Sequence, residues 1–213
     1  MIKKVLVALT AMVFILSAAH AAYVLYPTDE SQRFECNTRW VGPIEYSFAD
    51  KVRIDLEVAL AAKCGTLRAA LMSPGGSVVW SVETSQEIKR ARKKGLIVEI
   101  HGRSVVASGA TLVLAAGSPG KRFVVHNAVI LIHGVQRSGG FIEPPTCVDL
   151  RTVAAKFDED SIVLRRVLTL IISELADSVS KPFSVVEPWF RCGKEQAGPG
   201  SLLVELGIAD MEE

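Results

Sequence analysis

Apolar and polar positions along the chain follow two periods, and the switches between them mark its elements. Val52, Leu56, Ala59, Leu60 and Cys64 recur at intervals of three and four, with Asp50, Lys51, Asp55 and Glu57 between them. That is the period of a helix with one buried face, starting near Phe48. The stretch TLRAALMS (66–73) is short, apolar and closed by the breaker PGG, which predicts a buried strand. A second helix follows Gly76, with Val78, Val79, Val82, Ile88 and Ala91 as its inner face. It stops at KKG, where Lys93 and Lys94 meet the negative end of the dipole and Gly95 forms the cap. LIVEIHG (96–102) predicts the next strand, ASGATLVLAAG (107–117) a helix of small residues, and KRFVVHNAVILIHG (121–134) a strand or hairpin. Residues 151–178 read as one long amphipathic helix, 181–201 as loop, and SLLVELGIAD (201–210) as a short helix and turn. Ahead of all these, residues 26–47 are polar and turn-rich, with room for a short strand or two. Strands alternating with helices predict an α/β fold: a mostly parallel sheet with flanking helices.

The first residues change what chemistry to expect. Met1–Lys4 is basic, Val5–Ala18 is almost unbroken apolar sequence, and Ala19 and Ala21 are small. Basic, apolar, small is the order of a secretory signal, and the apolar run is short for a membrane span. The expectation is a signal peptide at 1–21, a single domain at 22–213, and a periplasmic or secreted protein of a bacterial envelope. The alternative is an uncleaved anchor, the one route by which a membrane enters. Four cysteines follow the leader, Cys36, Cys64, Cys147 and Cys192. Export makes two disulfides the expectation, with three connectivities open; buried thiols are the alternative.

Composition removes other classes. The formal net charge is +1, and Lys3 and Lys4 belong to the leader. A chain this close to neutral has no electrostatic footprint for nucleic acid. No CxxC or Cys/His cluster has metal-ligand spacing, so no metal is expected. The Gly-Gly turn lacks the Lys-Ser/Thr ending of a phosphate loop, so no nucleotide or other cofactor is expected either.

Sites in parallel sheets form where strands end at their carboxyl ends. Two turns qualify, SPGGS (73–77) and GRSVVASGA (102–110). The glycine pair Gly75–Gly76 suits a sharp turn with exposed N–H groups, able to receive an anion or a developing oxyanion. Read by itself, such a pair serves only a tight turn. Ser108 stands at a helix start between Ala107 and Gly109, as either a capping serine or a nucleophile open to a substrate backbone. His133 closes the apolar run AVILIHG at the site end of its strand, as either a structural histidine or the base that a nucleophilic serine needs.

LMSPGGSV, VVASGATLVLAAGSPGKRF and NAVILIHG, in that order and spacing, resemble the proteolytic subunit of the Clp protease, within the wider Clp/crotonase fold. VELGIAD near the end resembles the closing turn of that family. The resemblance implies Ser108 as nucleophile, His133 as general base, and the Gly76 and Gly109 N–H groups as oxyanion hole. It also implies that QRSGGF (136–141) lines a peptide groove and that the long helix 151–178 makes subunit contacts in a homo-oligomer. The family's third catalytic residue is an aspartate; here its place falls on or near Glu195, with Asp177 and Glu187 as alternatives. Family members are fed by a cytosolic ATP-driven unfoldase, which an exported chain lacks.

Three readings follow. The first is an exported, ATP-independent serine endopeptidase acting on peptides or unfolded protein. The second is a binding or scaffold protein that keeps the fold without the catalysis. The third is a Ser–Lys enzyme resembling signal-peptide peptidase, with Lys156 as base. Acyl-CoA chemistry of the crotonase kind is not expected outside the cytosol.

Overall fold

The computed structural model describes residues 36–137, 146–148 and 159–213. The expected signal peptide at 1–21 and the candidate base Lys156 lie outside them. In chain order, β1 (Asn37–Val41), α1 (Tyr46–Ala61), β2 (Thr66–Ser73), α2 (Val78–Lys93) and β3 (Ile97–Ala107) form two successive strand–helix–strand units. After them come α3 (Ala110–Ala115), β4 (Arg122–Val124), β5 (Val129–Ile132) and a small antiparallel pair, β6 (Val135–Arg137) and β7 (Thr146–Val148). The chain continues through α4 (Glu159–Val179), α5 (Phe183–Val186), a 3-10 turn (Glu187–Phe190), β8 (Gln196–Gly198), α6 (Ser201–Glu205) and β9 (Met211–Glu212).

The sheet of seven described strands runs β1-β2-β3-β4-β9, with β5 also paired to β3 and β8 paired to β5. All pairings are parallel except β5–β8. Each of the first crossovers steps to the next strand in the same direction. Right-handed crossovers therefore stack α1, α2 and α3 on one face of the sheet. Leu67, Ala69 and Leu71 of β2 are fully buried, whereas Arg68 and Met72 are exposed, as alternation on a sheet covered on one side requires. Trp40 of β1 is buried under α1, and its indole N–H donates to Asp55 at 3.0 Å. The Cys36–Cys64 disulfide ties the entry of β1 to the turn after α1.

Three expectations are corrected. Residues 121–134 form neither one strand nor a hairpin: β4 and β5 are separate, and both run parallel to β3. β3 does not end at Gly102; it continues to Ala107 past an irregularity where the register against β2 shifts between Leu71 and Ser73. Ser104, within that irregular stretch, takes φ +55°. This bulge lets β3 pair β4 through Ile100–Gly102 and β5 through Val105–Ala107. The segment 181–201 is not plain loop, because β8 closes it against β5.

The inner face of α2 also differs. Val79 is 63% exposed, while Ser81, Thr84 and Ser85 are buried. Their hydroxyls are satisfied locally: Ser81 donates to the Ser77 carbonyl at 2.8 Å and Thr84 to that of Trp80 at 2.7 Å. Ser85 donates to Glu174 of α4 at 2.7 Å, and Lys89 pairs with the same carboxylate at 2.6 Å. This buried clamp fixes α4 across α2. Among the described residues no helix is long and apolar enough to cross a membrane.

Candidate active site

The two turns singled out in the sequence meet at the carboxyl ends of β2 and β3. At the end of β2, the buried Ser73 hydroxyl accepts the Gly75 N–H at 3.1 Å and tightens the turn. Gly75 takes φ +90°, a conformation that side chains other than glycine rarely adopt. The turn is pinned to the chain after β1: Ile44 N–H donates to the Gly75 carbonyl, and Ser77 N–H to that of Ile44, both at 2.8 Å. A Cβ at Gly75 would lie 2.6 Å from the Ser108 Cβ and 2.9 Å from the Gly109 nitrogen. The two turns are therefore in direct backbone contact, and the glycine is what permits it.

Ser108 is the residue at which β3 turns into α3. Its φ is +53°, a strained value for a residue with a Cβ. Its N–H donates to the Leu131 carbonyl of β5 at 2.6 Å, and its carbonyl accepts from Thr111 Oγ1 at 2.7 Å. Because the Ser108 N–H is spent on the sheet, it is not an oxyanion donor. Among the described residues the N–H groups of Gly76 and Gly109 have no hydrogen-bond partner, and both residues line the same cavity as Ser108. That cavity has a volume of about 270 Å³. Val78, Leu112, Ile132, Ile171 and Phe190 give it apolar walls, and buried Ser81 adds a hydroxyl.

His133 follows the last residue of β5 and lines this cavity, half-buried. Its Nδ1 lies 2.6 Å from the Gly134 carbonyl oxygen. A carbonyl only accepts, so Nδ1 carries the hydrogen and Nε2 is left as the basic nitrogen. Among the described residues no hydrogen bond joins the Ser108 hydroxyl to the imidazole. Serine and histidine line one cavity, and a catalytic hydrogen bond of this kind often tightens only when substrate enters.

β8 brings in the remaining candidate. Its antiparallel register pairs Ile132 with Gln196, and one step further sets Glu195 opposite His133. Glu195 is exposed, and its Oε1 accepts the Gly193 N–H at 3.1 Å. Its own backbone N–H, that of Gly193 and then the neighbouring His133 together hold the Glu195 carboxyl below the usual carboxylate range. It flanks the imidazole without bonding Nδ1, which the Gly134 carbonyl has taken. The two alternatives lie elsewhere: Asp177 is exposed in a different cavity with Lys89 and Arg92, and Glu187 is held by Arg191 at 2.5 Å.

Sequence reasoning named Ser108, His133, Gly76, Gly109 and Glu195, and all five stand in or beside one cavity. It missed Ser81 and the Gly134 carbonyl. Ser81 had a readable signal, since a small residue one turn into α2 faces the Ser108 turn. A backbone carbonyl has none.

A mostly parallel sheet, flanking helices and a serine–histidine cavity at the strand ends define a serine-hydrolase architecture of the Clp type. A family model described as Clp protease matches residues 40–180, and the chain belongs to that family. The match spans both turns, β5 and all of α4, and the fold is that of the family. Its members are serine peptidases that act on peptides or proteins and form oligomers. No curated protein sequence matches the chain.

Proposed function

We propose that the protein is an exported, ATP-independent serine endopeptidase acting on short or unfolded polypeptides. The observation that carries this reading is one cavity lined by Ser108, His133, Gly76 and Gly109, with two backbone N–H groups unengaged. Ser108 Oγ attacks the scissile carbonyl while His133 Nε2 takes its proton. The carbonyl oxygen, now an oxyanion, receives the N–H groups of Gly76 and Gly109. His133 returns the proton to the leaving amine, and water hydrolyses the acyl-enzyme by the same route. The Gly134 carbonyl keeps the ring in the required tautomer, and Glu195 places a carboxylate beside it. The Cys36–Cys64 disulfide supports an oxidising compartment, periplasmic or extracellular, in line with the leader.

A second reading, a binding protein on the same fold, draws on one observation: the group on His133 Nδ1 is a backbone carbonyl rather than a carboxylate. A fluorophosphonate probe separates the two. The endopeptidase reading requires labelling of the parent protein and its loss in Ser108→Ala and His133→Ala. A folded parent that takes no label leaves only the binding protein.

A further inference from the structure

The sheet face turned away from the helices carries a pattern of its own. Register sets Arg39 of β1 beside Ala70 of β2, and Ala70 beside His101 of β3. Arg68 is two residues before Ala70 on its strand, and Arg103 two residues beyond His101. Neighbouring strands lie about 4.8 Å apart, and residues two apart on one strand about 6.6 Å. The long side chains of these four residues therefore ring the single methyl group of Ala70. The result is a concavity of about 310 Å³, lined by Arg39, Arg68, His101 and Arg103 around Ala70.

Charge on this face is unbalanced. Among the described residues, Arg39, Arg68, Arg103 and Lys121 face two side-chain carboxylates, Glu99 and Glu213. Glu99 is already engaged by Arg68 at 3.0 Å, His101 at 3.0 Å and Lys121 at 3.4 Å. Glu213 bonds His101 at 2.7 Å and stands 3.6 Å from Arg103. Arg39 is exposed, and its guanidinium makes no hydrogen bond or ion pair among the described residues. Further along the same face, register sets Val41 beside Met72, and these are 57% and 37% exposed. A basic dent is thus followed by an apolar row.

We propose that this concavity docks an acidic segment of a partner polypeptide, with one aspartate or glutamate carboxylate seated over Ala70 among Arg39, Arg68 and Arg103. Guanidinium forks match a carboxylate in two-point geometry, which suits arginine rather than lysine for this ring. The apolar row selects polypeptide over a phosphate backbone, because it receives an apolar residue next to the acidic one. The dent is a single pocket, not a track of the length that a nucleic acid needs. It opens on the sheet face opposite Ser81 and Leu112, so its occupancy is independent of whether Ser108 is catalytic.

The test is fluorescence anisotropy on the full folded chain with a labelled twelve-residue probe of Glu, Gly and a single Leu. Binding is expected for this probe and absent for its Gln counterpart, and it weakens as salt rises. Arg39→Glu and Ala70→Leu each weaken binding about tenfold or more, the first by reversing a charge and the second by filling the dent. The Arg39 side chain has no partner among the described residues to lose, so Arg39→Glu reports binding even if Ala70→Leu perturbs the fold. Equal binding of the Glu and Gln probes overturns the proposal, as does unchanged affinity in Arg39→Glu. Displacement of the probe by inorganic phosphate at comparable concentration overturns it too, in favour of a general anion site.

Discussion

A methyl group on Gly109 would stand 2.0 Å from the Ser81 hydroxyl oxygen, although Gly109 has an ordinary helical φ of −56°. Alanine is therefore excluded at this position by space alone. Gly109→Ala is expected to abolish fluorophosphonate labelling by pushing α2 away from the nucleophile turn. Adding Ser81→Gly removes the obstructing hydroxymethyl and restores part of the labelling. Gly75→Ala has no such rescue, because its φ of +90° is itself unsuited to a side chain.

Ser108 illustrates strain held at the position of the proposed nucleophile. Ser108→Ala keeps the Cβ and the φ of +53°, so its stability stays near that of the parent. Ser108→Gly relieves the conformation and raises stability by about 1 kcal/mol while eliminating labelling. Chemical denaturation of the two variants side by side measures the difference. Equal stabilities would show that the turn is unstrained.

The imidazole is held by the Gly134 carbonyl, and Glu195 acts on it only through charge at an exposed position. Glu195→Gln is accordingly expected to lower kcat/KM on an unfolded protein substrate by less than about tenfold, since exposed charge pairs are weak. His133→Ala removes the base and lowers it by about 10⁴ or more. A collapse in Glu195→Gln as large as in His133→Ala would give the carboxylate the orienting role instead.

Far from the site, Arg122 of β4 grips Asp210 with two guanidinium nitrogens and its backbone N–H, joining β4 to the turn before β9. Burial pushes the Asp210 carboxyl up, but hydrogen bonds and charge from Arg122, with the Gly120 backbone, outweigh it and hold it below its usual range. A depressed folded value means that the stabilisation is present above the unfolded value of about 3.9. It is lost as the pH falls through the lower folded value. Asp210→Asn, which leaves a mostly buried arginine unpaired, is expected to destabilise by about 2–3 kcal/mol at neutral pH. In acid the difference from the parent shrinks, as denaturant titrations at both pH values would register.

The Cys36–Cys64 bridge spans a sequence separation of 28. Closing a loop of that length restricts the unfolded chain by about 3–4 kcal/mol. The double variant Cys36→Ser/Cys64→Ser is expected to lose about that much, read from its urea midpoint. Labelling at Ser108 persists under native conditions, because the bridge lies at the far end of β1 and β2 from the site.

The regular elements of the first half were legible because one period dominates each. TLRAALMS alternates cleanly around Leu67, Ala69 and Leu71, and the basic stop at Lys93–Lys94 ends α2 where it should. The inner face of that helix was misread for a physical reason. Ser81, Thr84 and Ser85 look polar in sequence, but hydrogen bonds to backbone carbonyls and to Glu174 let them be buried, and Val79 is displaced to solvent. β8 and the later half of β3 were hidden because their strand character comes from partners remote in sequence. Gln196–Gly198 has no strand pattern until Ile130–Ile132 lies beside it. Cys192 is disulfide-bonded, as the even cysteine count suggested. Of the site, the residues Ser108, His133, Gly76 and Gly109 could be singled out from the motifs and their order, and the structure sets all four around one cavity. The Nδ1 partner of His133 could not, because it belongs to the backbone of the next residue.

The fork in β3 separates what holds the molecule together from what lets it react. Up to Gly102 the strand is bonded to β4, and through it to β9 and the Arg122–Asp210 pair. From Val105 onward it is bonded to β5, whose outer neighbour is the three-residue β8. Ser108 and His133 both depend on that second set of bonds. Peeling β8 and β5 from the edge would leave the α1–α3 layer and its strands intact. The proposed chemistry can therefore be lost while the part of the sheet under α1 and α2 stays paired.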